Sequence, residues 1–126
     1  SLPKWQRALA LYDLGTVKLH QKQYKEALHD FQLVPLEEAS TPQLIRFFYL
    51  NKGIAYLNQA EEFSPHALFF EFDERLNLYT ESITQFNEAL KIDCQLQQLE
   101  NGECQPALDL QQLIVKSKLA IQELKR

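Results

Sequence analysis

The side chains best equipped for chemistry in this sequence are three histidines, two cysteines and scattered carboxylates. Their spacing organises few of them. His20, His29 and His66 fall into neither HxxxH nor HExxH, the spacings that set two imidazoles on one helix face to hold zinc. Asp13 and Asp30 stand in helical stretches that also carry lysines, and both are expected on solvated faces. Gly15 and Gly53 each lie inside a helical pattern, so neither belongs to a phosphate-binding loop. The expectation is a non-catalytic protein with no resident metal and no cofactor.

Cys94 and Cys104 flank the Asn101-Gly102 turn signal, close enough in sequence for their sulfurs to meet. A disulfide closing so short a loop would contribute about 2–3 kcal/mol through chain entropy. It would also place the protein in a periplasmic or secreted, oxidising compartment. Two reduced thiols would instead fit a cytoplasmic protein. Both readings stay open at this level.

The elements that would carry these residues are helices. The chain has 126 residues, 45% hydrophobic and 24% charged, with three glycines and five prolines. That is one domain with a real core and little turn chemistry for a sheet. A net charge of −4 and a pI near 5.3 argue against nucleic acid, which needs clustered Lys and Arg. No apolar run approaches a membrane span. With no methionine the chain reads as a fragment or a processed form.

Pro3, Pro42, Pro65 and Pro106 stand where helical patterns begin, with Thr41 and Ser64 as cap residues before two of them. Five helices are expected, over about 3–21, 24–35, 42–62, 66–93 and 106–125. Helix two carries a single stripe of Tyr24, Ala27, Leu28, Phe31 and Val34. Helix three is apolar around most of its circumference and therefore central. Helix four has a seam of Phe72, Leu76, Tyr79, Ile83, Phe86 and Leu90, and would span about 42 Å. Helix five repeats the spacing with Leu110, Leu113, Ser117, Ala120, Ile121 and Leu124.

The spacing also recurs between helix pairs. Gly15 is followed by Tyr24, Ala27 and Phe31; Gly53 is followed, after an interruption of about 17 residues (61–77), by Tyr79, Ser82 and Phe86. With Leu14-Gly15, Tyr24, Ala27 and Phe31 in one unit, and Tyr49, Gly53, Tyr56, Tyr79, Phe86, Ala89 and Leu90 in the other, the chain resembles the tetratricopeptide-repeat (TPR) family. Lys18 and Lys52 depart from that pattern, standing where an aromatic and a leucine are common. The resemblance implies an all-α fold of antiparallel helix pairs stacked as a short superhelix. Repeat one would cover about 8–40, repeat two about 42–94 with the insertion 61–77, and a solvating cap about 106–125 of a single 1–126 domain.

In that family, ligands lie along the first helix of each pair. Carried over, the groove comprises Leu9, Tyr12, Asp13, Thr16, Leu19 and His20, then Phe47, Leu50, Asn51, Ile54, Leu57 and Asn58. Some members grip the carboxylate of heat-shock chaperones with a Lys, Asn and Arg clamp. Tyr12 and Thr16 occupy its first two positions here and only Asn51 fits, so that activity is not implied. The groove is mostly apolar and is expected to take a hydrophobic or amphipathic protein segment. A secretion-type chaperone and a small-molecule sensor or enzyme are the alternatives. Phe63, Leu68, Phe69, Phe70 and Phe72 add an aromatic cluster, expected to be core for the most part. Two pairs make a short array, and homodimerisation through helix three or four would relieve that.

Overall fold

The computed structural model describes residues 3–39, 41–62, 71–105 and 107–126. It is all-α, with five helices packed antiparallel in sequence: α1 (Lys4–His20), α2 (Tyr24–Gln32), α3 (Pro42–Glu61), α4 (Glu71–Asn101) and α5 (Leu108–Leu124). A single 3-10 turn, Leu36–Glu38, joins α2 to α3. No described helix is long and apolar enough to cross a membrane.

Local chemistry accounts for most boundaries. The hydroxyl of Thr41 accepts from the Leu44 N–H at 3.3 Å, with Pro42 in the first turn where its missing N–H costs nothing. Between α1 and α2 the chain reverses over three residues. Lys22 takes φ 63°, its N–H donates to the Leu19 carbonyl, and the Gln23 N–H donates to the Lys18 carbonyl. These are the two bonds that close a helix on a left-handed residue, usually glycine.

Three helix limits differ from the sequence expectation. Helix two stops at Gln32 rather than 35, because Pro35 disfavours helical backbone in the residue before it. Helix four runs to Asn101 rather than 93: nothing breaks it before Gly102, which takes φ 74°. Helix five starts at Leu108, since Ala107 is extended at φ −66° and ψ 127°. The start expected at 66, with His66, Phe63, Leu68, Phe69 and Phe70, lies outside the described residues.

The core forms in two clusters that meet along α3. One joins Ala8, Leu19, Tyr24, Ala27, Leu28, Phe31 and Val34 to Phe48 and Ala55; the other joins Leu57 and Ala60 to Tyr79, Phe86, Ala89, Leu110 and Ile114. Tyr49 and Ile54 touch both. This is why α3 is apolar around most of its circumference.

The same close contact occurs once in each cluster. A Cβ placed on Gly15 would stand 2.6 Å from the Phe31 ring, and one on Gly53 would stand 2.6 Å from the Phe86 ring. Around it the matched positions Tyr24 and Tyr79, Ala27 and Ser82, and Val34 and Ala89 are all buried. Ser82 does not idle there. Its hydroxyl donates to the Tyr79 carbonyl at 2.6 Å and lies 3.0 Å from the hydroxyl of Ser117, which in turn donates to Leu113, so the α4–α5 contact holds no unpaired hydroxyl.

Charge completes the frame. Lys18, out of place beside the aromatic pattern, pairs with Asp30 at 2.6 Å between α1 and α2. Asp30 is therefore buried, not on the solvated face expected for it, and the pair explains the departure at Lys18. Arg46 of α3 donates to Asp93 of α4 at 3.0 Å and reaches Asp109 of α5 at 3.9 Å.

Replacing Gly15 by alanine tests the close contact. Helix propensity alone would reward the change by about 1 kcal/mol, but overpacking a buried ring costs about 1–3 kcal/mol. We expect Gly15→Ala to lower stability in urea unfolding, and Gly15→Ala with Phe31→Leu to be less destabilised than the two single costs added.

Candidate functional site

Helices α1 and α3 lie side by side and run the same way, because each is antiparallel to α2. Their line of contact is marked by one hydrogen bond, in which the Asn51 amide donates to the Tyr12 hydroxyl at 2.7 Å. The Thr16 hydroxyl donates back to the Tyr12 carbonyl at 2.9 Å, one turn along α1. Thus Tyr12, Thr16 and Asn51, predicted as groove residues, do come together.

Around this polar centre stand exposed apolar side chains. Leu9 is 39% exposed and Phe47 is 47% exposed, while Leu50 and Ile54 are half-buried. Asp13 and His20 are exposed, and Asn58 is half-buried. The Arg46 guanidinium lies 5.7 Å from the centre of the Phe47 ring, so its ion pair with Asp93 also braces that aromatic.

Two predicted groove residues do not belong to the face. Leu19 is 8% exposed and Leu57 only 1%, each packed into the core. The physical reason is position. Each stands one turn past a close-contact glycine, where the inner helix turns toward its outer neighbour.

Two contributors were missed in the sequence. Trp5 is 46% exposed and one turn before Leu9 on α1, so it extends the apolar row. The signal was its type and spacing, four residues ahead of Leu9. The other is α5, which reaches α3 through Lys116 and Glu61 at 3.2 Å and packs Leu113 against the second core cluster.

A cleft lies elsewhere. About 680 Å³ opens along α4, lined by Thr84, Asn87, Glu88, Leu90, Lys91, Cys94, Gln95 and Cys104. At 31 residues α4 is about 46 Å long, against about 30 Å for the 20 residues of α3 packed on it, so α4 outruns that neighbour.

Cys94 and Cys104 meet at the end of this cleft. Their sulfurs are at disulfide distance, with Cα atoms 5.0 Å apart. Cys94 stands inside α4 rather than in the connecting loop. The loop is also held without sulfur: the Gln97 amide donates to the Gln105 carbonyl at 2.7 Å and accepts from the Gln105 N–H at 2.9 Å. Asp93 accepts from the same Gln97, which ties the loop to Arg46. Among the described residues, no three His, Cys, Asp or Glu side chains come together as metal ligands would.

Burial also sets the ionisation of the face. It raises the Tyr12 hydroxyl above its ordinary pKa of about 10, with the bonds to Thr16 and Asn51 opposing it. Burial raises Tyr49 and Tyr56 as well, helped by Glu88 and Glu81 respectively. It lowers Lys52, whose ammonium stands 5.5 Å from the centre of the Phe48 ring, against the pull of Glu81. Comparison with protein-family models, with curated proteins and with solved structures finds no match for this chain.

Two expectations follow. The unfolded chain ionises its tyrosines near pH 10 (about 10, as in free tyrosine), before the raised hydroxyls of the fold, so their contribution is complete below that pH and is lost as pH rises through the folded values. Urea midpoints measured up to pH 11 should fall above about pH 10, and Tyr12→Phe should flatten that fall while costing about 1 kcal/mol at pH 8 for the bond to Asn51. For the cysteines, alkylation of protein purified without reductant should leave both sulfurs unmodified. Reduction should lower global stability by about 2–3 kcal/mol by freeing the unfolded chain, while Gln97 keeps the native loop in place.

Proposed function

We propose that this protein is a non-catalytic interaction module of the TPR type, binding a hydrophobic or amphipathic protein segment along the inner face of α1 and α3. The observation that carries the reading is the exposed apolar row of Trp5, Leu9 and Phe47 around the Tyr12–Asn51 hydrogen bond. Aromatic side chains held in place on a rigid helical surface are the usual anchors of a protein interface. The matched Gly15–Phe31 and Gly53–Phe86 contacts support the repeat reading, since each lets an inner helix approach its outer partner in the same way.

The chemistry of the face favours a segment over a small ligand. It is long, shallow and mostly apolar, with Asp13 and His20 as its exposed ionisable groups on α1. A bound segment would bury Leu9 and Phe47 and find the Tyr12 hydroxyl and Asn51 amide for its backbone or polar side chains. The cleft along α4 favours a small-molecule reading, and its lining residues are not those of this face.

Phe47 is a better handle than Leu50, which packs against the second core cluster and would disturb the fold if charged. Phe47→Glu and Leu9→Glu are expected to keep the circular dichroism spectrum and urea midpoint of the parent. In affinity capture, each should release the proteins retained by the parent chain. Retention of the same proteins by both variants would remove the inner face from the binding role, and a metabolite that raises Tm in the parent and in both variants would favour the cleft.

A further inference from the structure

The second surface of interest is the side of α5 turned away from α4. Leu108 is 67% exposed, Val115 is 54% exposed and Leu119 is 55% exposed, at steps of seven and four that set them on one helix face. A solvating cap would carry polar residues there. This face does not behave as one.

The register of α5 explains what the face is for. On α3, Phe48 and Ala55 turn toward α2, with the Phe48 ring edge-on to Phe31 at 5.9 Å, while Gly53 and Leu57 turn toward α4. On α5, Leu110 and Ser117 have the spacing of Phe48 and Ala55 and likewise turn toward the preceding outer helix, here α4. Carrying that register along the helix sets Val115 at the position of Gly53 and Leu119 at that of Leu57. The exposed residues of α5 therefore occupy the positions that on α3 are covered by a following antiparallel helix. The apolar stripe continues an interface that the molecule already builds once.

Charge selects among occupants. On α3, Tyr56 lies near enough to Glu81 of the covering helix to feel its charge. The register position of Tyr56 on α5 is Lys118. Among the described residues neither Lys118 nor Lys125 forms an ion pair, whereas Lys116, Asp109 and Arg126 do. The unpaired charge along this side is thus positive. Shape adds a condition, because Val115 fills the space that Gly53 leaves for the Phe86 ring. An occupant needs a small residue opposite Val115.

We propose that α5 docks an amphipathic helix with acidic flanks, antiparallel to α5, with a small residue over Val115 and apolar residues over Leu108 and Leu119. This interface is separate from the inner face of α1 and α3 and does not depend on what that face binds.

The test uses two synthetic stapled helices of equal length sharing one leucine and alanine stripe, flanked by glutamates in one and lysines in the other. Titrated into the full chain labelled with nitrogen-15, the glutamate helix should shift the amides of Leu108, Val115 and Leu119 and bind at least about tenfold more tightly than the lysine helix. Lys118→Glu with Lys125→Glu should reverse that preference, and Val115→Glu with Leu119→Glu should abolish binding of both. Equal binding of the two helices, no binding of either, or shifts confined to α1 and α3 would overturn the proposal. So would sedimentation showing the parent as a dimer that Val115→Glu with Leu119→Glu dissociates, since the occupant would then be a second copy. Should the apolar double variant lose its helical spectrum, the charge reversal at Lys118 and Lys125 decides, because both lie exposed in solvent.

Discussion

The packing of a phenylalanine ring directly onto a glycine, Phe31 on Gly15 and again Phe86 on Gly53, is the constraint that the rest of this structure obeys. A glycine inside a helix costs about 1 kcal/mol in propensity, and the helix accepts it because the bare backbone admits a buried aromatic ring. Once each inner helix is tied this closely to an outer one, its remaining faces are determined. The face turned to the previous outer helix holds Phe48 and Ala55; the face left over holds Leu9, Tyr12, Phe47 and Asn51. The proposed binding surface is therefore a by-product of how the pairs must pack.

Electrostatics secures what packing begins. Arg46 joins three helices through Asp93 and Asp109, and Asp93 passes the connection to Gln97 and the loop that bears Cys104. The Lys18–Asp30 pair does the same work between α1 and α2 on a smaller scale. Removing one member of such a buried pair leaves the other without compensation, which costs far more than the pair contributes.

Much of this was legible in the chain. The stripe from Tyr24 to Val34, the matched glycines, the circumferential apolarity of α3 and the nearness of Cys94 to Cys104 all follow from residue type and spacing. What was not legible has a common cause. Asp30 read as solvated because a salt bridge between neighbouring helices leaves no mark in the periodicity of either. Leu19 and Leu57 read as groove residues because a helical wheel gives directions but not which neighbour lies in each direction. The early stop of α2 and the late stop of α4 are local, set by Pro35 and Gly102, and only the first carried a warning before the expected limit.

By itself the sequence determined that the protein is helical and that its helices come in pairs brought close by glycine. Those properties rest on covalent geometry and on spacings within one helix, which a linear chain carries openly. The tertiary structure alone decided that Phe47 and Leu9 face solvent around the Tyr12–Asn51 bond while Leu57 does not. It also decided that the apolar stripe of α5 has no helix over it among the described residues. Burial and pairing are relations between segments distant in the chain, so they exist only once the helices have chosen their neighbours.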